Sequence, residues 1–474
     1  MNEINNLFKE LEKNINVRIL DFECNGVKGK IAFHIYLADL KLYNMYFKEK
    51  ISNENKDNLD KVYPGVYYKF QLIKKEILTS IFNGNIFLML DNENSVIPYI
   101  IICQQIIGRS ISDSIYEPIN QTGARDGFVE SIETNLSLIQ KRIKTECLIT
   151  ERLLIGSRGN SVLCVLYIKD IVKTSTVNKI IEKIENINID CILSIKDISN
   201  EFEKNTLFPV TSEVGNPEIA TDDLLDGRII ILIDQIPIAL TIPVDITYFM
   251  TLKEGKHSNK VNSVHIKILS FIFLFLSCYF LGIYAAFVNY HRDSISLIAL
   301  SEIKSSLRGS TLPLYLEFIF LIFIFDLLKL SSTKSPNITL QNVIVTVGGL
   351  LIGQNAVSSG FISSFNLVIT AITYISGYAI TNNQRFVNSI NIIRLIVLFS
   401  GMLFGILGVI ATIIIITSII YSEKSISTSY LSPIIPFYKK TFFEYLFGKS
   451  IYKNKYRSKQ NNVIDSIKGK NNLW

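Results

Sequence analysis

The chain has 474 residues, 48% hydrophobic and 19% charged, with a formal net charge of +6, where an ordinary soluble domain carries roughly 25% charged residues. The deficit is local: residues 264–448 hold 17 of the 90 Asp, Glu, Lys and Arg side chains, and the other 289 residues hold 73. This division excludes a wholly globular cytosolic enzyme, a disordered protein and a small disulfide scaffold.

The chain opens Met-Asn-Glu-Ile-Asn-Asn and stays polar, without the basic start and apolar core of a secretory signal, so the N-terminal region is expected to remain in the cytoplasm. From Asn16 to Cys103 short apolar runs alternate with polar ones. Ile86 to Leu90, a polar break at 91–94 and Val96 to Ile102 predict a hairpin. A Ser-, Asp-, Pro- and Gly-rich stretch at 108–123 predicts a connection between lobes. After Asp126, the residues Ile132, Leu136, Ile139, Ile143 and Leu148 recur at helical spacing and predict an amphipathic helix. Strands are expected at Ser161 to Ile168 and Asp190 to Ile195, helices at Val177 to Ile187 and Pro217 to Leu225. Arg228 to Asp234 and Ile236 to Val244 flank Gln235 as two nearly continuous apolar runs, the pattern of strands buried on both faces or paired in a hairpin.

Residues 268–290 contain no charge and are long enough to cross a hydrocarbon core. Leu312 to Leu330 is a second apolar run, carrying Glu317 and Asp326, which fall on opposite sides of a straight helix. Residues 335–384 hold no Asp, Glu, Lys or Arg, and Ile392 to Tyr421 is a final run longer than one upright span, expected to tilt or project. The tail from Lys449 to Trp474 has seven Lys or Arg against one Asp, which favours the cytoplasmic side and anionic lipid headgroups. The expected fold is therefore an α/β two-lobed cytosolic N-terminal region followed by an α-helical multi-pass membrane domain. Its boundaries are 1–118 for the first lobe, 119–260 for the second, 261–425 for the membrane domain and 426–474 for the basic tail. With both ends inside, the crossing number must be even. About four crossings are expected, with either a re-entrant piece within 343–381 or Leu312 to Leu330 lying on the membrane surface.

Gly349, Gly353, Ala356 and Gly360 fall at spacings of four, three and four, on one helix face that lets another helix approach closely. Two readings of that face stand: packing within one subunit, or packing around a shared axis or conduction path. Gln354, Asn355, Ser358 and Ser359 lie partly off it, and Ile352 and Val357 are the candidate hydrophobic constriction. Arg125, Asp126, Glu130 and Arg142 stand around the start of the amphipathic helix, where Asp126 could cap the helix or the arginines could pair with carboxylates at a subunit contact. The six cysteines form no C-x-x-C pair and the four histidines stand apart, so no metal or cofactor is expected. Phosphate-loop, dinucleotide and nucleophile-elbow motifs are missing, and no enzyme or nucleic-acid function is expected.

Several motifs in order carry a resemblance. They are Gly123-Ala-Arg-Asp-Gly-Phe-Val-Glu130 with Asn135 and Leu138-Ile-Gln-Lys-Arg-Ile143, then Val165-Leu-Tyr-Ile-Lys-Asp-Ile171, then Leu224-Leu-Asp-Gly-Arg-Ile-Ile-Ile-Leu-Ile-Asp234 with Pro237, and Val347-Gly-Gly-Leu-Leu-Ile-Gly-Gln-Asn-Ala-Val-Ser-Ser-Gly360. In these the chain resembles the A subunits of GerA-type spore germinant receptors. The resemblance implies a subunit in the spore inner membrane, partnered by a transporter-like, nutrient-binding B subunit and a C lipoprotein. It implies assembly into a homo-oligomeric, nutrient-gated ion channel that triggers germination. The alternatives are a non-conducting membrane scaffold or the A-subunit paralogue of the dipicolinate-release operon.

Overall fold

A computed structural model describes residues 8, 11–12, 14, 16–24, 26–46, 66–68, 74–91, 96–103, 126–204, 206–250, 260–291, 293, 301, 305, 311–334, 353–426, 428–435, 437, 439–447 and 463–464. Two five-stranded sheets lead into a set of apolar helices. The first sheet holds β1 (Val17–Cys24), β2 (Val27–His34), β3 (Val66–Tyr68), β4 (Ile86–Asp91) and β5 (Val96–Ile101), in the order β1-β2-β4-β5-β3 with antiparallel neighbours. The helices α1 (Leu40–Tyr46) and α2 (Lys74–Phe82) complete this lobe. The β4–β5 hairpin lies where the alternating runs predict it. The connection expected at 108–123 lies outside the described residues.

The second sheet holds β6 (Leu148–Ile155), β7 (Ser161–Ile168), β8 (Ser212–Val214), β9 (Ile229–Ile233) and β10 (Ala239–Ile242), in the order β6-β7-β9-β10-β8. Position for position this repeats the order of the first sheet, so the two lobes share one topology although the sequence carries no visible repeat. Asn14 and Asn16, before β1, donate their side-chain amides to the carbonyls of Glu146 and Leu148, at the start of β6, each at 3.2 Å. The lobes therefore touch near equivalent points of that repeat.

In the second lobe α3 (Ile132–Arg142) is capped by Ser131, whose hydroxyl accepts from the Thr134 amide; Asp126 does not cap it. Leu148, expected on this helix, opens β6 instead, because Ile143 is already extended and the chain turns before pairing with β7. The helix α4 spans Thr174–Glu185. The strand expected at Asp190 to Ile195 is a loop and a helix start. Ser194 and Asp197 form a reciprocal capping box that begins α5 (Ile195–Glu203), which removes the segment from the sheet. Helix α6 occupies Pro217–Leu225 as predicted, with Asn216 as its cap and proline in its first turn. Every residue of β9 is buried, as expected of a strand covered on both faces. On one face lie Ile132, Leu136 and Ile139 of α3 and Ala220 and Leu224 of α6. The other face packs with Val177, Ile180 and Ile198 and continues into Phe386, Ile390 and Val397 of the long helix that begins at Gln384.

After α7 (Ile246–Phe249), α8 runs Lys260–Phe275, widens into a π turn at Leu276–Phe280 and continues over Leu281–Tyr290. Then come α9 (Leu314–Lys334), α10 (Ser364–Ile380) and α11 (Gln384–Ser422). Two stretches, Val264–Tyr290 and Gln384–Ser422, are long and apolar enough to cross a membrane.

Helix α11 is not one tilted rod. Gly405 has φ 64° and ψ −150°, a conformation open essentially to glycine alone. Ser389 donates to the Leu207 carbonyl at 2.7 Å while Glu423 accepts from the Leu207 amide. A straight helix would hold residues 389 and 423 about 51 Å apart at ~1.5 Å per residue, so the chain doubles back at Gly405 into two arms, 384–404 and 406–422. Gly401 and Val409 face each other across the bend. The expected single long segment is thus a helical hairpin with both ends against the second lobe. Beyond it a short β-ribbon, β11 (Lys424–Ser425) and β12 (Thr428–Ser429), precedes α12 (Lys439–Phe447).

Candidate functional site

The second lobe grips the hairpin through a three-element clamp. Asn383 caps α11 by accepting from the amides of Arg385 and Phe386, which fixes Arg385 in the first turn beside the lobe. Its guanidinium donates to Ser199 at 2.8 Å and Glu203 at 2.9 Å, both on α5, and through its second terminal nitrogen to Glu213 on the edge strand β8. The three ion-pairing side chains are 20%, 13% and 12% exposed, shielded enough for the pairing to matter well beyond an open surface bridge. Glu203 also accepts from Thr211, so one carboxylate ties helix, loop and hairpin together.

Between Glu203 and Thr211 the loop is held from both arms. Leu207 is bonded to Ser389 and Glu423 as described, and Ser425 donates to the Val210 carbonyl at 3.1 Å. Phe386 lies 5.1 Å from Phe208 and 4.9 Å from Phe249, and Tyr430 stacks on Phe208 at 5.8 Å between centroids. Burial pushes the Glu423 carboxyl up, against the pull of backbone amides at 207 and 208. A shift of this loop therefore displaces both ends of the hairpin.

Behind the clamp lies a buried polar knot. Arg228 donates to the Pro243 carbonyl at 3.2 Å and to Asp223 at 3.3 Å, with its guanidinium 4.6 Å from the Tyr248 ring centre. Asp223 also accepts from Thr241 at 3.0 Å and from the Tyr248 hydroxyl at 2.8 Å. Asp245 caps α7, and burial raises its carboxyl in spite of nearby Arg228. The Asp226-Gly-Arg228 motif thus locks the β10–α7 corner that leads into the helices. Gly227, at φ +85°, makes the turn.

Among the helices, Arg394 is 1% exposed. Its Nε donates to the Ser277 carbonyl at 2.9 Å, and one terminal nitrogen donates to the Ser277 hydroxyl at 2.8 Å and the Thr373 carbonyl at 2.9 Å. The guanidinium lies 4.0 Å from the centre of the Tyr374 ring, whose hydroxyl donates to Asp326 at 3.1 Å. The other terminal nitrogen has no hydrogen-bond partner among the described residues. Ser277 belongs to the π turn, and this wider turn supplies both its carbonyl and its hydroxyl to Arg394. Glu317, also buried, accepts from the Ser363 amide at the start of α10, and the Tyr284 hydroxyl donates to Asn366 at 2.8 Å. Glu317 and Asp326, placed by periodicity on opposite sides of α9, both reach α10.

The residues expected to matter are placed differently. Arg125, Gly349 and Ile352 lie outside the described residues. Gly353, Gln354, Ala356 and Val357 form a helical turn in which Gln354 is exposed and the other three partly buried, and Gly360 ends it at φ 68° with its carbonyl accepting from the Thr311 amide. A Cβ at Gly353 would meet nothing nearer than Leu367, at 3.5 Å. The close helix crossing is elsewhere: a Cβ at Gly282 would lie 2.6 Å from the Val397 carbonyl oxygen, and one at Gly401 would strike the Gly282 carbonyl. Among the described residues no group of three His, Cys, Asp or Glu is placed to hold a metal ion.

Asp126 and Arg142 pair with each other, at 2.8 and 2.5 Å, and Arg142 also donates to the Leu138 carbonyl. Glu130 is exposed, and its carbonyl accepts from Gln235. Arg142→Glu should lower the unfolding free energy by about 1–3 kcal/mol. The double variant Asp126→Arg, Arg142→Asp should recover most of that loss in a denaturation series. Equal destabilisation in both variants would show that the pair is not the brace.

Two of the missed residues had a readable signal. Arg394 interrupts an apolar run, where an ionisable residue marks function by default, and Arg385 ends the fifty-residue uncharged stretch. Glu203 and Glu213 sit in ordinary polar sequence with no such mark.

The family described as Bacillus/Clostridium GerA spore germination protein matches residues 2–460. The chain is 32% identical over 377 residues to spore germination protein XA of Bacillus anthracis, covering 79% of this chain and 76% of that protein. It is 28% identical to spore germination protein KA of Bacillus subtilis, covering 80% and 69% respectively. Among solved structures it is similar to the N-terminal domain of the A subunit of the Bacillus megaterium spore germinant receptor GerK3, at 20% identity and a TM-score of 0.37, covering 50% of this chain and 92% of that one.

Proposed function

This chain belongs to the GerA family of Bacillus/Clostridium spore germination proteins, and from that premise we propose that it is the A subunit of a nutrient germinant receptor. In this reading it resides in the spore inner membrane with a nutrient-binding B subunit and a C lipoprotein, and several copies enclose a nutrient-gated ion channel. The supporting observation is the clamp of Arg385 on Glu203 and Glu213. It joins the water-facing lobe rigidly to an apolar hairpin, as conversion of a binding event into movement of helices requires. Residues 343–362 surround the path, with Ile352 and Val357 as the constriction.

Purified protein in liposomes should conduct monovalent cations, and Ile352→Ala or Val357→Ala should raise the resting leak. Assembly without flux in all variants would favour the non-conducting scaffold.

Helix directions support the sidedness. α8 leaves the lobe and ends beside Met402 and Leu403, near the hairpin bend, where Tyr290 donates to both carbonyls. α9 and α10 both begin at that distal end, where Glu317 meets Ser363, and both run back towards Asn388, which Lys329 reaches at 2.7 Å. In this reading both arms of α11 cross, and the lobes and tail share the cytoplasmic face.

Single cysteines in a Cys-free background, exposed to an impermeant thiol reagent on right-side-out vesicles, should be protected at Ser157 and Ser458. They should be labelled near Ser305 and at Phe404, beside the bend. Protection at Phe404 together with labelling at Ser458 would replace the hairpin by a single crossing.

A further inference from the structure

We infer that α12 and the segment just before it form a docking surface for anionic phospholipid headgroups, an inference that rests on the membrane reading above. Its depth is set by α8. Lys267 is the last charge before the uncharged stretch 268–290. It donates to the Tyr445 carbonyl at 2.7 Å and lies 4.9 Å from the centre of that ring. Phe271, one turn deeper, lies 6.1 Å from Phe442 and 6.2 Å from Tyr445. Helix α12 is thus fastened at the level where the first apolar helix passes from polar to apolar surroundings, the level of lipid phosphates and glycerol in a bilayer.

What it leaves uncovered matches that level. Phe437 is 58% and Phe443 43% exposed, with Lys439 exposed beside them. In the sequence Lys440 adjoins, and seven further Lys or Arg follow by residue 470 against Glu444 and Asp465. Exposed aromatic rings at the acyl boundary with Lys439 beside them, in a part of the sequence rich in Lys and Arg, are complementary to a leaflet bearing net negative charge. The second lobe lies on the same side, so the leaflet is the one facing the lobes.

The test uses the full chain with its one tryptophan removed, Trp474→Phe, and a reporter placed by Phe443→Trp, reconstituted in phosphatidylcholine bilayers with or without phosphatidylglycerol. Emission should shift to the blue and be quenched by lipids brominated high on the acyl chain, with brominated phosphatidylglycerol quenching more than brominated phosphatidylcholine. Lys439→Glu and Lys440→Glu should each cut that preference about fivefold. A water-like emission in protein that keeps the labelling pattern given above would overturn the docking surface and leave the membrane reading standing. A blue-shifted reporter that no brominated lipid quenches would mean that protein covers the face, and equal quenching by both lipids would remove the charge preference; either result overturns the inference.

Discussion

Arg385→Glu is expected to uncouple the second lobe from the hairpin. The wild-type guanidinium sits between Glu203 and Glu213, and the variant places three carboxylates in one shielded pocket. Breaking a buried pair in this way costs about 3–5 kcal/mol, and the partial exposure here reduces it to roughly 2–4. Because ~1.4 kcal/mol is a factor of ten in any equilibrium, nutrient responsiveness should fall at least about tenfold in spores that hold normal amounts of the protein. Arg385→Lys should be intermediate, since a point charge cannot serve Ser199, Glu203 and Glu213 together. Combining Arg385→Glu with Glu213→Arg should restore part of the response. If the single variant responds like wild type, the clamp does not transmit the signal.

Arg394 is expected to reverse the usual rule of conservative substitution. Arg394→Lys keeps a charge in a site that is 1% exposed, but one ammonium cannot reach the Ser277 carbonyl, the Ser277 hydroxyl and the Thr373 carbonyl while lying flat on Tyr374. Arg394→Met gives up the hydrogen bonds and also removes the cost of a buried cation. The methionine variant should lose about 1–3 kcal/mol in a detergent unfolding series, and the lysine variant should lose more. A lysine variant at least as stable as the methionine one would mean that the side chain reaches water in solution.

How much could be read beforehand depended on the range of each interaction. Helix α6 was legible to the residue because Asn216-Pro217 writes its own start, and β9 because five apolar residues leave little choice. The α5 start escapes a local reading because Cys191 and Ile192 suggest a strand, while the capping box of Ser194 and Asp197 decides for a helix. The hairpin bend was hidden among Gly401, Gly405 and Gly408 in a run that stays apolar throughout. Only the backbone reveals that Gly405 alone has positive φ. The clamp joins residues more than 170 positions apart, beyond any local pattern. The shared strand order of the lobes is a matter of connection, and two sequences can share it with little residue similarity.

The surroundings of Arg394 also bear on how the chain is made. An arginine at the centre of an isolated span costs roughly 2.5–3.5 kcal/mol on insertion, and Arg394 lies midway along the first arm. Ser277, Thr373, Tyr374 and Asp326 all precede it in the chain. When the ribosome delivers the first arm, the groups that receive its charge have already been synthesised, and the return arm follows the bend with no Asp, Glu, Lys or Arg from 406 to 422. In the proposed membrane reading the charge therefore enters a bilayer in which its acceptors are already present, and the apolar arm that closes the hairpin arrives last.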